Sequence, residues 1–225
     1  PISELMSALS VSDSPIKSLV NKGLIGVDKR KVDSIQECDS GNSACINDEL
    51  QQIPELTPAQ KNAVTQILKS HDCYKEFLLF GVTGSGKTEV YLQCTQEILD
   101  SGGSVLFLVP EIALTPQMIR WVTSRFSQKV AVLHSRLTPK ERYEQWNMIR
   151  DGAARIVIGA RSAVFAPVHN LKMIIMDEEQ DSSYKSETHP RYHARDVARI
   201  RARLLNIPVV LGSATPSLET YYAAE

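Results

Sequence analysis

The residues best suited to chemistry in this sequence form the octapeptide Gly-Val-Thr-Gly-Ser-Gly-Lys-Thr at positions 81–88, which matches the phosphate-binding pattern G-x-x-x-x-G-K-[ST]. An apolar run precedes it and a helical pattern follows. The glycines let the backbone curl until successive amides face one concavity, where the helix start adds positive potential for a triphosphate. The lysine reaches the β and γ phosphates, and the last hydroxyl is a ligand for Mg²⁺. The predicted contacts to ATP and Mg²⁺ are Gly81, Val82, Thr83, Gly84, Ser85, Gly86, Lys87 and Thr88.

A cluster of carboxylates ends the apolar run Met-Ile-Ile-Met at positions 173–176. Asp177 stands at the carboxyl end of this expected strand, where open α/β sheets place their ligands, and is predicted to hold Mg²⁺ directly or through water. Glu178 is suited to orient or deprotonate the attacking water, so Lys87 and Glu178 are the predicted catalytic residues. Paired carboxylates at a strand end also occur as a solvated cap, but beside a phosphate-binding loop they indicate ATP hydrolysis.

Two further polar segments complete the predicted nucleotide site. Ser213 and Thr215 lie in the segment Gly-Ser-Ala-Thr-Pro, which follows another apolar run, and we expect them to bond to the acidic cluster and sense the γ-phosphate. Gln60 begins the helix before the phosphate-binding loop. Its amide carries the paired donor and acceptor that read an adenine edge, although a glutamine in a first helical turn is usually solvated.

The polar stretch at positions 181–196 suits a polyanion. Tyr184, Tyr192 and His193 offer ring faces on which bases stack, each worth about 1 to 3 kcal/mol. The alternative is that Tyr192 and His193 only pack the next helix onto the sheet. The surrounding residues 120–205 hold 16 Lys and Arg against 9 Asp and Glu, although the whole chain has a formal charge of −1. Predicted phosphate contacts are Lys185, Arg191 and Arg195, and side chains expected to be solvated or to face another domain are Arg199, Arg201 and Arg203.

The elements that must position these residues follow a regular alternation. Short apolar runs separated by amphipathic helical stretches are typical of βαβ units around a parallel sheet with helices on both faces. The sequence therefore predicts an α/β fold. The expected strands are 77–82, 104–110, 129–134, 155–160, 173–178 and 208–214, and the expected helices lie near 87–100, 113–126, 139–150 and 194–205.

The N-terminal part of the chain differs from the rest. Residues 1–35 read as two short helices and a strand, a pattern that favours a small winged-helix domain, and residues 36–55 read as a polar linker before an ATP-binding domain at 56–225. No run approaches the roughly 20 apolar residues of a membrane span, so we expect a cytoplasmic protein without membrane contact. The four cysteines are expected to be free thiols, with no zinc site. They are Cys38, Cys45, Cys73 and Cys94.

The phosphate-binding loop, the Asp-Glu-Glu-x box and the Ser-Ala-Thr-Pro segment, in this order, resemble the first RecA-like lobe of superfamily 2 helicases. Over residues 56–222 the sequence is similar to the primosomal replication-restart helicases of that superfamily. The similar segments are GVTGSGKTEVYL, LVPEIALTPQM, DEEQDSSYK, PRYHARDVA and GSATPSLE. The resemblance implies an ATP- and Mg²⁺-dependent 3′ to 5′ DNA helicase. It also implies single-stranded and forked DNA, other primosome proteins and single-strand binding protein as partners.

The same resemblance assigns further roles by position. It places Glu111 to Gln117, and Arg161 with Ser162, where such lobes meet single-stranded DNA, and it places Tyr184 to His193 in an aromatic-rich loop that couples strand binding to hydrolysis. Gln180 stands where the family usually has histidine; it retains hydrogen bonding toward Ser213 but not protonation.

The family's second lobe with its arginine finger and its zinc module have no counterpart in the sequence, which implies a fragment that hydrolyses ATP poorly alone. Two alternatives stay open: a superfamily 2 translocase of the restriction or remodelling type that moves on duplex DNA, and a DNA-binding module that nucleotide only gates.

Overall fold

The computed structural model describes residues 55–126 and 129–224. The winged helix predicted at 1–35, and the linker at 36–55 except for Glu55, lie outside these residues. The strands are β1 (Glu76–Phe80), β2 (Ser104–Leu108), β3 (Lys129–Leu133), β4 (Ala154–Gly159), β5 (Leu171–Met176) and β6 (Val209–Ser213). The helices are α1 (Pro58–Leu68), α2 (Lys87–Asp100), α3 (Pro116–Arg125), α4 (Pro139–Arg150), α5 (Ala194–Leu205) and α6 (Leu218–Ala224), with 3₁₀ turns at Arg161–Phe165 and Ser182–Tyr184.

The six strands form one parallel sheet in the order β1-β6-β5-β2-β4-β3. This confirms the predicted α/β architecture, and each predicted strand appears within a few residues of its expected position. In register, Phe80 pairs with Ser213 and Leu108 pairs with Met176. The strands therefore finish along one edge, called here the carboxyl edge, and the loops that follow them lie side by side.

The sheet is buried on both faces, which explains why its strands read as continuous apolar runs. Side chains alternate along β2: Leu106 and Leu108 join one core cluster with residues of α4 and α5, while Val105 and Phe107 join another with residues of α1, α2 and α3. All four are at most 3% exposed. Because helices pack on both faces of the central strands, the core fixes the positions of the loops at the carboxyl edge.

Three helices begin with the dipeptide Thr-Pro, which sets their starting points. The hydroxyls of Thr57, Thr115 and Thr138 accept hydrogen bonds from backbone amides of the first turns of α1, α3 and α4. The proline that follows has no N–H to leave unpaired. In α1 and α4 the side chains of Gln60 and Glu141 bond back to the capping residue, which completes a capping box. These local signals position the loops that precede the helices.

Two cysteines lie in the described part of the chain. Cys73 is an exposed free thiol, and Cys94 is a buried free thiol in α2 whose pKa burial raises to about 12. Cys38 and Cys45 lie outside the described residues. Within residues 55–126 and 129–224, the helices are all too short or too polar to traverse a lipid bilayer.

Candidate nucleotide site and strand-binding edge

The strand order brings the predicted nucleotide residues together. The loops after β1, β6 and β5 are neighbours at the carboxyl edge, and they carry the phosphate-binding loop, the Ser213–Thr215 turn and the carboxylate turn at 177–180. Gly81 N donates to Ser213 O over 3.1 Å, and Glu179 N donates to Gly212 O over 3.0 Å. The end of β6 therefore holds a loop on each side, and the three segments form one site.

The phosphate-binding loop has the backbone shape that its glycines predict. Gly84 and Gly86 have φ angles of +81° and +79°, in the left-handed region that other residues rarely adopt. A Cβ on residue 86 would lie only 2.3 Å from Nε2 of the Gln60 side chain, so this close approach requires glycine. Lys87 Nζ donates to the carbonyl of Gly81 over 2.8 Å. Thr88 follows in the first turn of α2, where the leading backbone amides lack a carbonyl partner within the helix and attract anions.

Gln60 fastens α1 to the phosphate-binding loop. Its Oε1 accepts from the amide of Thr57 over 2.8 Å, and its Nε2 donates to the carbonyl of Ser85 over 3.0 Å. The side chain predicted to read adenine thus lies directly beside the loop, and its amide already serves two structural bonds. Recognition of adenine by Gln60 stays a prediction.

Asp177 lies just beyond β5 in a largely buried setting. Its Oδ1 accepts from the hydroxyl of Tyr91, a buried residue of α2, over 3.0 Å, and its backbone carbonyl accepts from the hydroxyl of Tyr184 over 2.7 Å. Burial raises the pKa of the Asp177 carboxyl, while the bond from Tyr91 and the charge of Lys87 oppose that rise. Two tyrosines from different segments therefore hold Asp177 beside the loop, Tyr91 through the carboxylate and Tyr184 through the backbone.

Glu178 begins a chain of hydrogen bonds that crosses to β6. Its φ angle is +46°, in the left-handed region that glutamate rarely adopts. Gln180 Nε2 donates to Glu178 Oε2 over 2.8 Å, and Gln180 Oε1 accepts from the Ser213 hydroxyl over 2.6 Å. The Thr215 amide in turn donates to the Ser213 hydroxyl over 2.9 Å. Gln180 thus forms the hydrogen bond to Ser213 that was predicted from the sequence.

Glu179 was not singled out by the sequence, yet it is the most buried carboxylate of the turn, at 1% exposed. It accepts from Arg195 Nη1 over 2.6 Å and from the Ser217 amide over 2.7 Å, with a third bond of 3.1 Å from the Thr220 hydroxyl. Burial alone would raise the pKa of Glu179, but these bonds outweigh it and lower the pKa. The predicted phosphate contact of Arg195 is wrong, because its side chain is only 14% exposed and its Nη1 is held in this buried pair.

The predicted aromatic surface is also partly wrong. Tyr184 is 0% exposed and packs in the core, so its ring has no face for a base. Tyr192 is half-buried and its ring lies 5.0 Å from that of Phe165, which is 51% exposed. His193 caps α5 by accepting from the amide of Arg195 over 3.2 Å. His193 thus serves the start of α5, Tyr192 packs against Phe165, and both side chains stay partly accessible, so base stacking by these two residues stays a prediction.

Arg161 supports the backbone of the aromatic-rich loop. Its guanidinium lies 5.8 Å from the Tyr192 ring centre and donates to the carbonyls of Ser183 and Lys185. The side chains of Lys185 and Arg191 are exposed. The backbone of the loop is thus held by Arg161, while its basic side chains are exposed to solvent. Contact of these side chains with DNA stays a prediction.

The loops after β2 and β4 carry the other predicted strand contacts. Glu111 follows β2 and accepts from the amide and hydroxyl of Ser135 in the loop after β3. Gln117 lies in the first turn of α3, and Ser162 is exposed in the 3₁₀ turn after β4. These residues lie on the loops of the carboxyl edge that are farther from the phosphate-binding loop, and their roles remain predictions.

Two of the basic residues along α5, Arg199 and Arg201, are partly buried and bonded within the lobe, so the expectation that they are solvated or face another domain is wrong for these two, whereas Arg203 is exposed. Arg199 forms a bidentate ion pair with Glu76 of β1, with bonds of 2.9 and 3.0 Å from Nε. Arg201 donates to the carbonyl of Val164 over 2.7 Å, and Arg203 lies 5.0 Å from the ring centre of Tyr74.

The donors in this site suit a magnesium nucleotide. A hydroxyl at Thr88 and a carboxylate at Asp177 are oxygen ligands of the kind Mg²⁺ prefers. The positive φ angles of Gly84 and Gly86 give the loop the open curl that a phosphate chain needs. The residues present therefore fit the metal and nucleotide that the sequence predicts.

A family comparison agrees with this geometry. The model for the family described as DEAD/DEAH box helicase matches residues 57–223. The chain belongs to the DEAD/DEAH box helicase family. The matched range includes all six strands and the loops that follow them, so the nucleotide residues and the predicted strand contacts lie in the helicase domain.

Within the helicase family, the chain is most informatively compared with replication restart proteins, to which it is similar in sequence. The chain is 48% identical over 222 residues to the replication restart protein PriA of Synechocystis, and 46% identical over 229 residues to that of Bacillus subtilis. These alignments cover 98% and 100% of the chain but only 26% and 28% of the two relatives. They confirm the resemblance drawn from the motifs, for a chain that spans roughly a quarter of those proteins.

Solved helicase structures share the fold. A structure of RecG bound to a three-way DNA junction matches 76% of the chain and 22% of its own, with a TM-score of 0.56 at 27% identity. The helicase MrfA bound to DNA and AMPPNP matches 75% of the chain and 25% of its own, with a TM-score of 0.55 at 22% identity, which supports the fold alone. The RecA-like arrangement predicted for residues 56–225 is therefore confirmed over the described part.

Proposed function

We propose that this chain is the ATP-binding lobe of a replication-restart DNA helicase, which hydrolyses ATP in order to unwind forked DNA in the 3′ to 5′ direction. One observation carries the proposal: the phosphate-binding loop and the Asp177–Glu178 pair lie on the two sides of β6, joined through Ser213. The similarity to PriA proteins supports the choice of substrate and process.

The residues divide the chemistry between them. The amides of the loop and the ammonium of Lys87 bind the β and γ phosphates. Thr88 and Asp177 hold Mg²⁺, which neutralises charge on the phosphate oxygens when bound. Glu178 accepts the proton of the attacking water. Gln180 donates to Oε2 of that carboxylate, which orients the group while each oxygen keeps a lone pair that can accept the proton.

Partners follow from the same proposal. Single-stranded and forked DNA bind across the loops after β2, β4 and β5, and the protein acts in the cytoplasm with other primosome proteins and single-strand binding protein. The net positive charge of residues 120–205 suits this role, since phosphate contacts supply most of the affinity of such proteins for DNA.

Strand displacement by the full-length protein tests the proposal. A labelled fork with a 3′ single-stranded arm should be unwound in the presence of ATP and Mg²⁺, and Lys87→Ala should abolish unwinding. Movement on duplex DNA without strand displacement would identify a duplex translocase instead. DNA binding that responds neither to ATP nor to Lys87→Ala, without hydrolysis, would identify a nucleotide-gated binding module.

A further inference from the structure

The third carboxylate of the acidic turn has a set of partners distinct from those of its two neighbours. Glu179 bonds through both oxygens to residues outside the phosphate-binding loop: Oε1 accepts from the Ser217 amide, and Oε2 accepts from Arg195 and the Thr220 hydroxyl. Ser217 and Thr220 belong to the start of α6, and Arg195 to the first turn of α5. Glu179 therefore binds two helix starts to the turn that carries Glu178.

Arg195 completes the same cluster from the other side. Its Nη1 also donates to the Ser217 hydroxyl over 2.7 Å and to the Thr220 hydroxyl over 3.0 Å. The side chains of Arg195 and Glu179 are 14% and 0% exposed. The ion pair thus connects the first turn of α5 directly to Glu179, and both side chains are largely buried.

The first turn of α5 lies at the base of the aromatic-rich loop. His193 accepts from the amide of Arg195, and it pairs across the loop with Lys185 as an antiparallel bridge. A second bond closes the loop there, from the Ser186 amide to the Tyr192 carbonyl over 2.8 Å. Arg195 therefore lies two residues along the backbone from the base of the loop that carries the exposed residues of 185–193.

Stability alone gives a weak reason for this buried pair. Removing two charges from water is costly, and apolar side chains of similar volume are often as stabilising or more so. The pair instead joins the loop base to the residue next to Glu178, whose backbone is held at a strained φ of +46°.

We propose that Glu179 and Arg195 are positioning residues that transmit strand binding at residues 185–193 to the orientation of Glu178, so that ATP hydrolysis responds to DNA. This inference rests on the proposed function. It assigns neither residue a contact with nucleotide or DNA. Glu178 remains the group that faces the water, and the pair sets how well Glu178 is placed when a strand is bound.

Steady-state ATP hydrolysis by the full-length protein, with and without a saturating single-stranded oligonucleotide, tests the proposal. Glu179→Gln should lower the stimulation by DNA at least about tenfold, while the rate without DNA and the affinity for the oligonucleotide stay within about threefold of wild type. Arg195→Lys keeps the charge but loses the branched donor set, and it should retain an intermediate stimulation. Equal stimulation of Glu179→Gln and wild type would overturn the inference.

A matched control is available on the same helix. Arg199 of α5 pairs with Glu76, and these side chains are 20% and 26% exposed. Glu76→Gln should lower the melting temperature but leave the stimulation by DNA within about twofold of wild type, because this pair has no contact with the acidic turn. Loss of stimulation in Glu76→Gln equal to that in Glu179→Gln would overturn the proposal, since general weakening of α5 would then explain both.

A double variant separates coupling from folding. Glu179→Gln with Arg195→Met removes both charges together, so it should recover the melting temperature lost by either single change. Its stimulation should nevertheless stay low. Recovery of stability together with stimulation would show that the pair only holds the fold. Absence of stimulation in the wild-type protein would instead refute the proposed function and leave nothing for the pair to couple.

Discussion

The carboxyl edge of the sheet has two halves that are built differently. In the half formed by β1, β6 and β5, the functional side chains bond to one another, as Glu178 does through Gln180 to Ser213. In the half formed by β2, β4 and β3, with the aromatic-rich loop beside it, backbone is held while side chains such as Lys185, Arg191 and Ser162 are exposed.

The difference follows from what each half must do. Phosphoryl transfer requires groups fixed within a fraction of an ångström, because misplacement costs rate. Binding a strand without regard to sequence needs charges and ring faces that tolerate different bases. We therefore expect substitutions in the first half to change rates steeply and substitutions in the second half to change affinity modestly.

The steepest effect is expected at Glu178. Glu178→Gln keeps the side-chain size but removes the proton acceptor, so ATP hydrolysis should fall by about 10² to 10⁴-fold. Nucleotide affinity, measured by titration with a fluorescent ATP analogue, should stay within about threefold of wild type, because Lys87 and the loop amides are unchanged. Retained hydrolysis would remove Glu178 from its role as the base.

The next largest effect is expected where Gln180 joins the two sides of the nucleotide half. Gln180→Ala removes two hydrogen bonds worth about 1 kcal/mol each, so hydrolysis should fall about 30-fold if both act on the reacting geometry. Ser213→Ala removes one of them together with the bond from the Thr215 amide, and it should cost about fivefold if only the bond to Gln180 acts on the reacting geometry. Since the bonds form one chain, the double variant should be no worse than Gln180→Ala alone, whereas multiplied losses would show that the two residues act independently.

Much of the nucleotide half could be predicted from sequence, because its signals are local. The glycine spacing of 81–88 dictates a backbone shape, and the apolar run before Asp177 dictates a strand end. The parallel order of the strands then brings these segments together. Gln180 was read correctly as a bridge toward Ser213 because both lie within short reach of neighbouring strand ends.

The remainder depended on packing between distant segments. Tyr184 looked like a stacking residue, but its ring fills the core and its hydroxyl bonds to Asp177. Arg195 looked like a phosphate contact until the fold supplied Glu179, sixteen residues earlier, as its buried partner. Sequence shows residue type but not which face a loop buries. A third carboxylate directly after the Asp-Glu pair was the one available signal for Glu179.

A paired test in the second half separates exposed from buried residues of one loop. Arg191→Ala should weaken binding to single-stranded oligonucleotides about threefold to tenfold and lower the slope of log affinity against log salt by about one, whatever the base sequence. Tyr184→Phe should leave that affinity unchanged and cost about 1 to 3 kcal/mol of unfolding free energy, because the Asp177 carbonyl loses a buried donor. An affinity loss in Tyr184→Phe would return that residue to the strand-binding surface.

The smallest effect is expected at His193, where the two halves meet. Burial, followed by the charge of Arg195, lowers the pKa of His193 from its ordinary value of 6.5. The unfolded chain then takes up a proton at a higher pH than the folded one, so His193 contributes stability that is complete above about pH 6.5 and is lost as pH falls toward the lowered pKa. His193→Asn keeps a capping side chain without titrating. In denaturant unfolding at pH 7.5 and 5.5, the wild type should lose more stability on acidification than this variant, by less than about 1 kcal/mol. Equal losses would mean that folding leaves the pKa of His193 unchanged, and that the loop base takes up charge without cost.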